Sequence, residues 1–251
     1  MEKIALEKID LRLSKAVLFK DAFTQETVVN AVRIKTFYGG RAILKQDGYC
    51  LFLNVGQEEF EVEVESPIYQ SRHLWLKADR GEEVEEVFLY PKVSYPVKTG
   101  VTIVQGTAVP GAVIKFHLED GDWEGKLLRD YQKGEEEIEI FLKGKIKIGN
   151  RMWYVRDREK KIGEYCNARV TDAGSEKFGL TCPLKADYRK KDTDICQAYE
   201  CTADEKGEFY LLIDRLDDRD FRLAYLYSDD GKEVVKEAGI QGTKWNVINE
   251  N

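Results

Sequence analysis

The chain has 251 residues, 43% hydrophobic and 34% charged, so it can bury a core beneath a well-solvated surface, and extensive disorder is excluded. Its 39 Lys and Arg residues are mixed along the chain with 46 Asp and Glu residues, which excludes the concentrated positive surface of a nucleic-acid-binding protein. No stretch approaches the roughly 18 consecutive apolar residues that cross a bilayer, so membrane insertion is not expected.

Short segments of alternating polarity predict that the first half is all β. The segment 58–65 is the clearest case, because Phe60, Val62 and Val64 fall on one face and glutamates on the other. Seven such segments separated by Gly-containing turns are typical of an antiparallel sandwich. The strands are predicted at 9–19, 28–37, 42–45, 49–54, 60–65, 73–77 and 84–89.

The segment 90–100 contains two of the five prolines and no long apolar run. Because proline fixes its own φ and extends the preceding residue, this segment is predicted to be a short, stiff linker. It divides the chain into a first domain, 1–94, and a second domain, 101–251.

The second half is also predicted to be all β. It opens with two β-branched strands around Val109-Pro110-Gly111-Ala112, the composition of a tight type II turn. Two segments, 122–130 and 232–238, have some helical character instead. Further strands are predicted at 138–142, 152–155, 165–171, 177–184, 195–203, 208–213, 221–227 and 245–248.

One short signature occurs in both halves. In the first, Asp47-Gly48-Tyr49 leads into an aromatic-rich strand, and in the second, Gly207-Glu208-Phe209 does the same after an acidic turn. A glycine at such a position supplies the positive φ with which strands are joined or started. The repetition predicts two related β-sandwich modules.

The signature, together with the Gly106–Val113 element and the closing segment 60–69, resembles the carboxypeptidase-regulatory-like, or transthyretin-like, β-sandwich modules. The fold class that follows is all-β, with two antiparallel Ig/transthyretin-like sandwiches joined by the short linker. In the second half the matching pieces lie about ninety residues apart, so the second module is predicted to carry a large insertion. The resemblance implies a non-catalytic scaffold or binding accessory, and similar modules occur in phage-tail-like contractile injection systems.

No residue pattern predicts catalysis, a cofactor or a metal. His73 and His117 lie in predicted strands without the sequence context of a nucleophile or a metalloprotease helix, and they are interpreted as ordinary strand histidines. The five cysteines include no CxxC pair, and their odd number favours reduced thiols, so the protein is predicted to be cytoplasmic or released as part of a particle.

The predicted function is therefore a non-enzymatic structural or accessory role in which sandwich surfaces bind other proteins, such as the subunits of a phage-tail-like assembly. The alternative is a carbohydrate-binding module, because 13 tyrosines and 4 tryptophans are enough for a sugar-stacking surface if several are exposed. Trp123, in a Gly-rich turn, and Trp245, near the end of the chain, are the two predicted surface-binding residues.

Overall fold

The computed structural model describes residues 11–37, 39–80, 82–144, 149–170 and 174–248. Within these residues the chain forms nineteen strands and no helix, which confirms the predicted all-β class. No helix in this part of the chain is long and apolar enough to span a membrane. The chain divides into two compact units, Met1–Pro96 and Val97–Asn251, which we call unit 1 and unit 2.

The described residues of unit 1 form seven strands in two sheets, ordered β3-β4-β1-β7 and β2-β5-β6. Alternation of polarity along β5 places Phe60, Val62 and Val64 in one apolar core with Val17 and Phe52 of the other sheet. The two sheets therefore pack as a sandwich. The strands are β1 (Leu13–Asp21), β2 (Arg33–Thr36), β3 (Arg41–Leu44), β4 (Tyr49–Leu53), β5 (Glu59–Glu65), β6 (Arg72–Lys77) and β7 (Val84–Leu89).

Unit 2 contains the other twelve strands. They are β8 (Thr102–Thr107), β9 (Val113–Leu118), β10 (Trp123–Leu127), β11 (Glu137–Leu142), β12 (Gly149–Asp157), β13 (Ile162–Val170), β14 (Lys177–Gly179), β15 (Thr193–Thr202), β16 (Glu208–Ile213), β17 (Asp220–Asp229), β18 (Lys232–Gln241) and β19 (Trp245–Ile248).

Seven strands of unit 2 have nearly the topology of unit 1. One sheet has the order β16-β8-β19 and the other contains β15-β9-β17-β18, against β4-β1-β7 and β2-β5-β6 in unit 1. The third strand is the exception, because β3 pairs with β4 whereas its counterpart β15 pairs with β9. Phe116 of β9 contacts Phe209 of β16 and Tyr225 of β17, so an aromatic core joins the two sheets of unit 2.

The expectation of purely antiparallel sandwiches is wrong in one respect. The last strand of each unit runs parallel to the first, since β7 pairs parallel with β1 and β19 pairs parallel with β8. The reason is topological: in both units the chain reaches its seventh strand from the opposite sheet, so no hairpin forces the antiparallel direction.

The remaining strands, β10 to β14, form a small barrel with the first half of β15. Pairing runs from β11 through β10, β15 and β12 to β13, while β14 pairs with β11 and meets β13 at the Ala168–Leu180 bridge. The interior is filled by buried side chains that include Tyr131, Trp153 and Phe178. This barrel is a packed core, and it lies between β9 and β15 in the sequence.

Both segments of predicted helical character are strands. Residues 122–130 contain β10, and residues 232–238 lie within β18. Helix-forming Lys, Glu and Ala in 232–238 are overridden because Asp230 and Gly231 adopt φ of 46° and 78°, the two positive values of a type I′ hairpin turn. Trp123 accordingly lies at the start of a strand, and the predicted Gly-rich turn is displaced to the residues before it.

Candidate functional site

The outermost strand of the β15-β9-β17-β18 sheet, β18, has an open edge. It pairs with β17 in ten consecutive residue pairs from Asp220↔Gln241 to Asp229↔Lys232, without a bulge. In the described part of the chain no strand pairs with its other side. A long, regular edge of this kind offers unpaired backbone N–H and C=O groups to another strand.

The two-residue turn determines which groups of β18 point outward. The closing pair of such a turn, Asp229↔Lys232, exchanges hydrogen bonds, and hydrogen-bonded pairs then alternate along the ladder. The carbonyl oxygen of Arg222 confirms this alternation, because it accepts a 2.9 Å bond from the Glu119 amide on the β9 side. Odd-numbered residues of β18 therefore present their backbone groups to the open edge: Glu233, Val235, Glu237, Gly239 and Gln241.

Asn246 closes the far end of this edge. Its Oδ1 accepts a 2.7 Å bond from the Gln241 amide, and its Nδ2 donates to the Gln241 carbonyl oxygen at 2.9 Å. The open stretch consequently runs from Glu233 to Gly239. At its centre Val235 is 68% exposed, the highest exposure of any large apolar side chain in the described residues.

The predicted surface residue Trp245 lies on β19, which is itself the outer strand of its sheet. Trp245 is 52% exposed and Val247, two residues further on the same face, is 61% exposed. Tyr210 contacts the indole edge-to-face, with ring centroids 6.0 Å apart. About half of this residue is therefore accessible to solvent.

The second predicted surface residue, Trp123, is half-buried and already has cationic partners. The ammonium of Lys143 lies 3.7 Å from the indole centroid and that of Lys126 lies 4.9 Å from it. Cation–π contacts of this kind occupy the ring surface on which a ligand would stack. Trp123 and Trp245 lie on strands of different sheets, and no contact joins them within the described residues.

A third exposed tryptophan was not predicted. Trp75 on β6 is 65% exposed, and Phe37, just after β2 in the same sheet, is 50% exposed. His73 lies two residues before Trp75 and stacks on Phe37 at an interplanar angle of 16°. Leu74-Trp75-Leu76 is apolar at three consecutive positions, so local polarity does not indicate which of these side chains faces the core.

The other histidine, His117, belongs to a buried polar network. Its Nδ1 is 2.8 Å from the hydroxyl of Tyr165, its Nε2 is 3.0 Å from a carboxylate oxygen of Glu119, and its ring stacks on Tyr154. Burial lowers the pKa of His117, with Glu119 acting in the opposite direction. Because β9 carries His117 and the barrel carries both tyrosines, the network joins the sandwich to the barrel.

The cysteines provide no metal centre. In the described residues, which include all five cysteines, no group of three or more His, Cys, Asp or Glu side chains has the geometry to hold a metal ion. Cys50, Cys166, Cys196 and Cys201 are buried, whereas Cys182 is exposed. Burial raises the pKa of both Cys50 and Cys166 to about 12 and that of Cys196 to about 11.

We expect one thiol of five to react with a disulfide reagent in the native protein at pH 8, because only thiolates react and burial keeps four thiols protonated. The pKa values of the buried thiols are higher in the folded protein than in the unfolded chain, so folding keeps these thiols protonated. The stability that depends on their protonated form is complete below about pH 8.5 and declines as the pH rises above it. Thiol titration without denaturant counts the thiols that react in the native protein, and titration with denaturant counts all five. Rapid native reaction of two or more thiols would contradict the placement of the buried cysteines.

No protein-family model matches this chain, and no curated protein matches it either. Among solved structures it is similar to mutant forms of the shaft pilin SpaA from Lactobacillus rhamnosus GG. A double mutant is 9% identical, with 95% of this chain and 96% of the pilin covered at a TM-score of 0.23. A single mutant is 10% identical, with 95% and 97% covered at a TM-score of 0.24. The carboxypeptidase-regulatory-like family stays a prediction.

Proposed function

We propose that this protein is non-enzymatic and binds an extended segment of another protein by strand addition at the open edge of β18. The observation that carries the proposal is the uninterrupted pairing of β18 with β17 on one side, with no described strand on the other. Strand addition uses main-chain hydrogen bonds for affinity and alternate side chains for specificity.

The exposed side chains of β18 restrict which strands can pair with its open edge. Val235 offers an apolar contact at the centre, whereas Glu233 and Glu237 on either side are charged. Such charges discourage indiscriminate edge-to-edge pairing, and a partner strand with basic residues at the matching positions would neutralise them. Each added main-chain hydrogen bond contributes about 0.5–1.5 kcal/mol net, so several are needed for a stable complex.

The role we propose for this binding is that of a structural or accessory subunit of a larger assembly, such as a phage-tail-like particle. The supporting feature is an all-β chain of two units in which the described residues form packed cores. Domain limits of 1–94 and 101–251, a stiff proline-containing linker between them and a cytoplasmic location belong to the same proposal.

We expect Val235→Pro to weaken partner binding about tenfold or more. Residue 235 points its N–H to the open edge, so proline removes one outward donor and places its ring against an incoming strand while the bonds to β17 remain. Val235→Thr is the matched control, because it keeps both the N–H and the β-branched shape.

The measurement is affinity purification of the tagged protein from its native cells at low salt, followed by quantitative mass spectrometry of wild type and both variants. A stoichiometric partner that is retained by Val235→Thr and lost by Val235→Pro supports strand addition. Recovery of the wild-type protein as a lone monomer, or equal recovery of the partner with all three proteins, would contradict the proposal. Circular dichroism checks that the proline variant is folded.

A further inference from the structure

The outer face of the β2-β5-β6 sheet in unit 1 has three exposed rings. Trp75 is 65% exposed, Phe37 is 50% exposed, and the side chain of His73 is 51% exposed. Large apolar side chains on a solvent-facing sheet surface are informative, because polar residues would normally fill these positions. Trp75 has no ring stacking or cation–π partner among the described residues.

The sheet register places a carboxylate between two of these rings. Glu61 of β5 lies directly opposite Trp75 of β6, and its carbonyl oxygen lies 3.5 Å from the Phe37 amide on the other side. Three neighbouring strands therefore carry Phe37, Glu61 and Trp75 in one row. Adjacent strands are about 4.8 Å apart, so the two aromatic residues are separated by roughly 10 Å.

The polar groups of this face are held by one another. His73 Nδ1 is 3.0 Å from Glu61 Oε1, and the ammonium of Lys35 is 3.1 Å from Glu63 and 2.5 Å from Glu65. These contacts fix one oxygen of a carboxylate and leave acceptor capacity on the group. The face therefore has preorganised acceptors beside flat aromatic surfaces.

The residues of this face indicate which class of ligand it can bind. The centre of a protein–protein interface is depleted in charged residues, whereas here glutamates occupy every outward position of β5 from Glu59 to Glu65. Lys35 and Lys77 offset part of that charge, so a strongly charged ligand has no advantage. A neutral polyhydroxyl ligand fits: its C–H faces pack on the negative π-surfaces, and its hydroxyl groups donate to carboxylates.

We propose that the outer face of β2-β5-β6 binds a neutral oligosaccharide. Trp75 stacks on one sugar ring, the exposed part of Phe37 beside His73 packs on a second, and Glu61 between them accepts hydrogen bonds from hydroxyl groups. This activity is independent of strand addition at β18, because the two surfaces use different residues of different units. It also differs from the two tryptophans that the sequence indicated, since Trp123 already holds two lysine ammonium groups.

The test is an array of neutral oligosaccharides, including β-1,4-linked hexamers of glucose, xylose and N-acetylglucosamine, probed with the labelled full-length protein. We expect binding to at least one neutral glycan, and at least about tenfold weaker binding by Trp75→Ala and by Phe37→Ala. Trp245→Ala is the matched control, because it removes another exposed indole that lies in unit 2, and its binding should equal that of wild type.

Two outcomes would overturn the proposal: no glycan signal above background for wild type, or a signal that survives Trp75→Ala and Phe37→Ala unchanged. Loss with Trp245→Ala as well would also contradict it, because the site would then not be this face. Val235→Pro should bind the glycan normally, so failure here and failure of strand addition at β18 are distinguishable. Because Trp75 is mostly exposed, Trp75→Ala should unfold at the wild-type denaturant concentration.

Discussion

Substitution of Gly207 by alanine is expected to lower the free energy of unfolding of unit 2 by about 3–4 kcal/mol. Gly207 has a φ of 81°, a conformation that costs an L residue about 1–2 kcal/mol. A Cβ on Gly207 would also lie 2.3 Å from the carbonyl oxygen of Ala108, a backbone atom that cannot rotate away. Relief requires separation of the loops before β9 and β16, and the Ala108 amide bonds the Gly207 carbonyl oxygen at 2.8 Å there.

Gly231→Ala is the control that isolates the clash. Gly231 has a nearly equal φ of 78°, but a Cβ there meets no atom within 4 Å. This variant should lose only the conformational cost, about 1–2 kcal/mol. Urea unfolding of both variants measures the difference, and equal losses would show that the close approach at Ala108 relaxes without cost.

The same signature in unit 1 responds differently. Gly48 has a φ of 85°, and its Cβ would meet the Cγ2 methyl group of Thr27 at 2.0 Å. Rotation of Thr27 about χ1 moves this methyl group, whereas a backbone carbonyl has no such freedom, so Gly48→Ala is expected to cost less than Gly207→Ala. The sequence predicted the repeated turn, but only the structure shows which backbone or side-chain atom each glycine faces.

The local alternation of polar and apolar residues identified most strands, because this pattern depends only on neighbouring residues. The strand predicted at 208–213 has the observed limits, and alternation along β5 predicted its buried face. The parallel pairing of first and last strands was missed, since pairing between residues about seventy positions apart in unit 1 and about 140 in unit 2 leaves no mark on local polarity. The barrel was missed for the same reason: an insertion was predicted, but the closure of β14 against β11 and β13 is set by tertiary packing.

The candidate surfaces were less predictable than the strands. Alternate residues of a strand point to opposite faces of the sheet, and in Leu74-Trp75-Leu76 both sets are apolar. The leucines pack inward, which leaves the indole outside. Residues 232–238 were assigned helical character, so the open edge that they form was not predicted. A sequence-level signal did exist in Asp230-Gly231, which is a strong type I′ hairpin dipeptide.

The second large effect is expected for Trp153→Ala, which should lower the free energy of unfolding by about 3–5 kcal/mol. Trp153 is completely buried in the barrel and contacts Phe178 edge-to-face with ring centroids 5.1 Å apart. Removal of the indole leaves a cavity among side chains from several strands. The strand pairing that closes the barrel limits how far these side chains can move into the cavity.

The effect of Trp153→Ala should also be local, and hydrogen exchange distinguishes this from a uniform loss. Amides of β10 to β13 should lose protection first, followed by β15, because the same strand pairs with the barrel and with β9 of the sandwich. Unit 1 amides should keep wild-type protection. Trp75→Ala removes the same side chain from a solvent-exposed position and should change stability by less than about 0.5 kcal/mol. A loss below about 1 kcal/mol for Trp153→Ala, or equal deprotection in both units, would show that the barrel core does not stabilise unit 2 through β15.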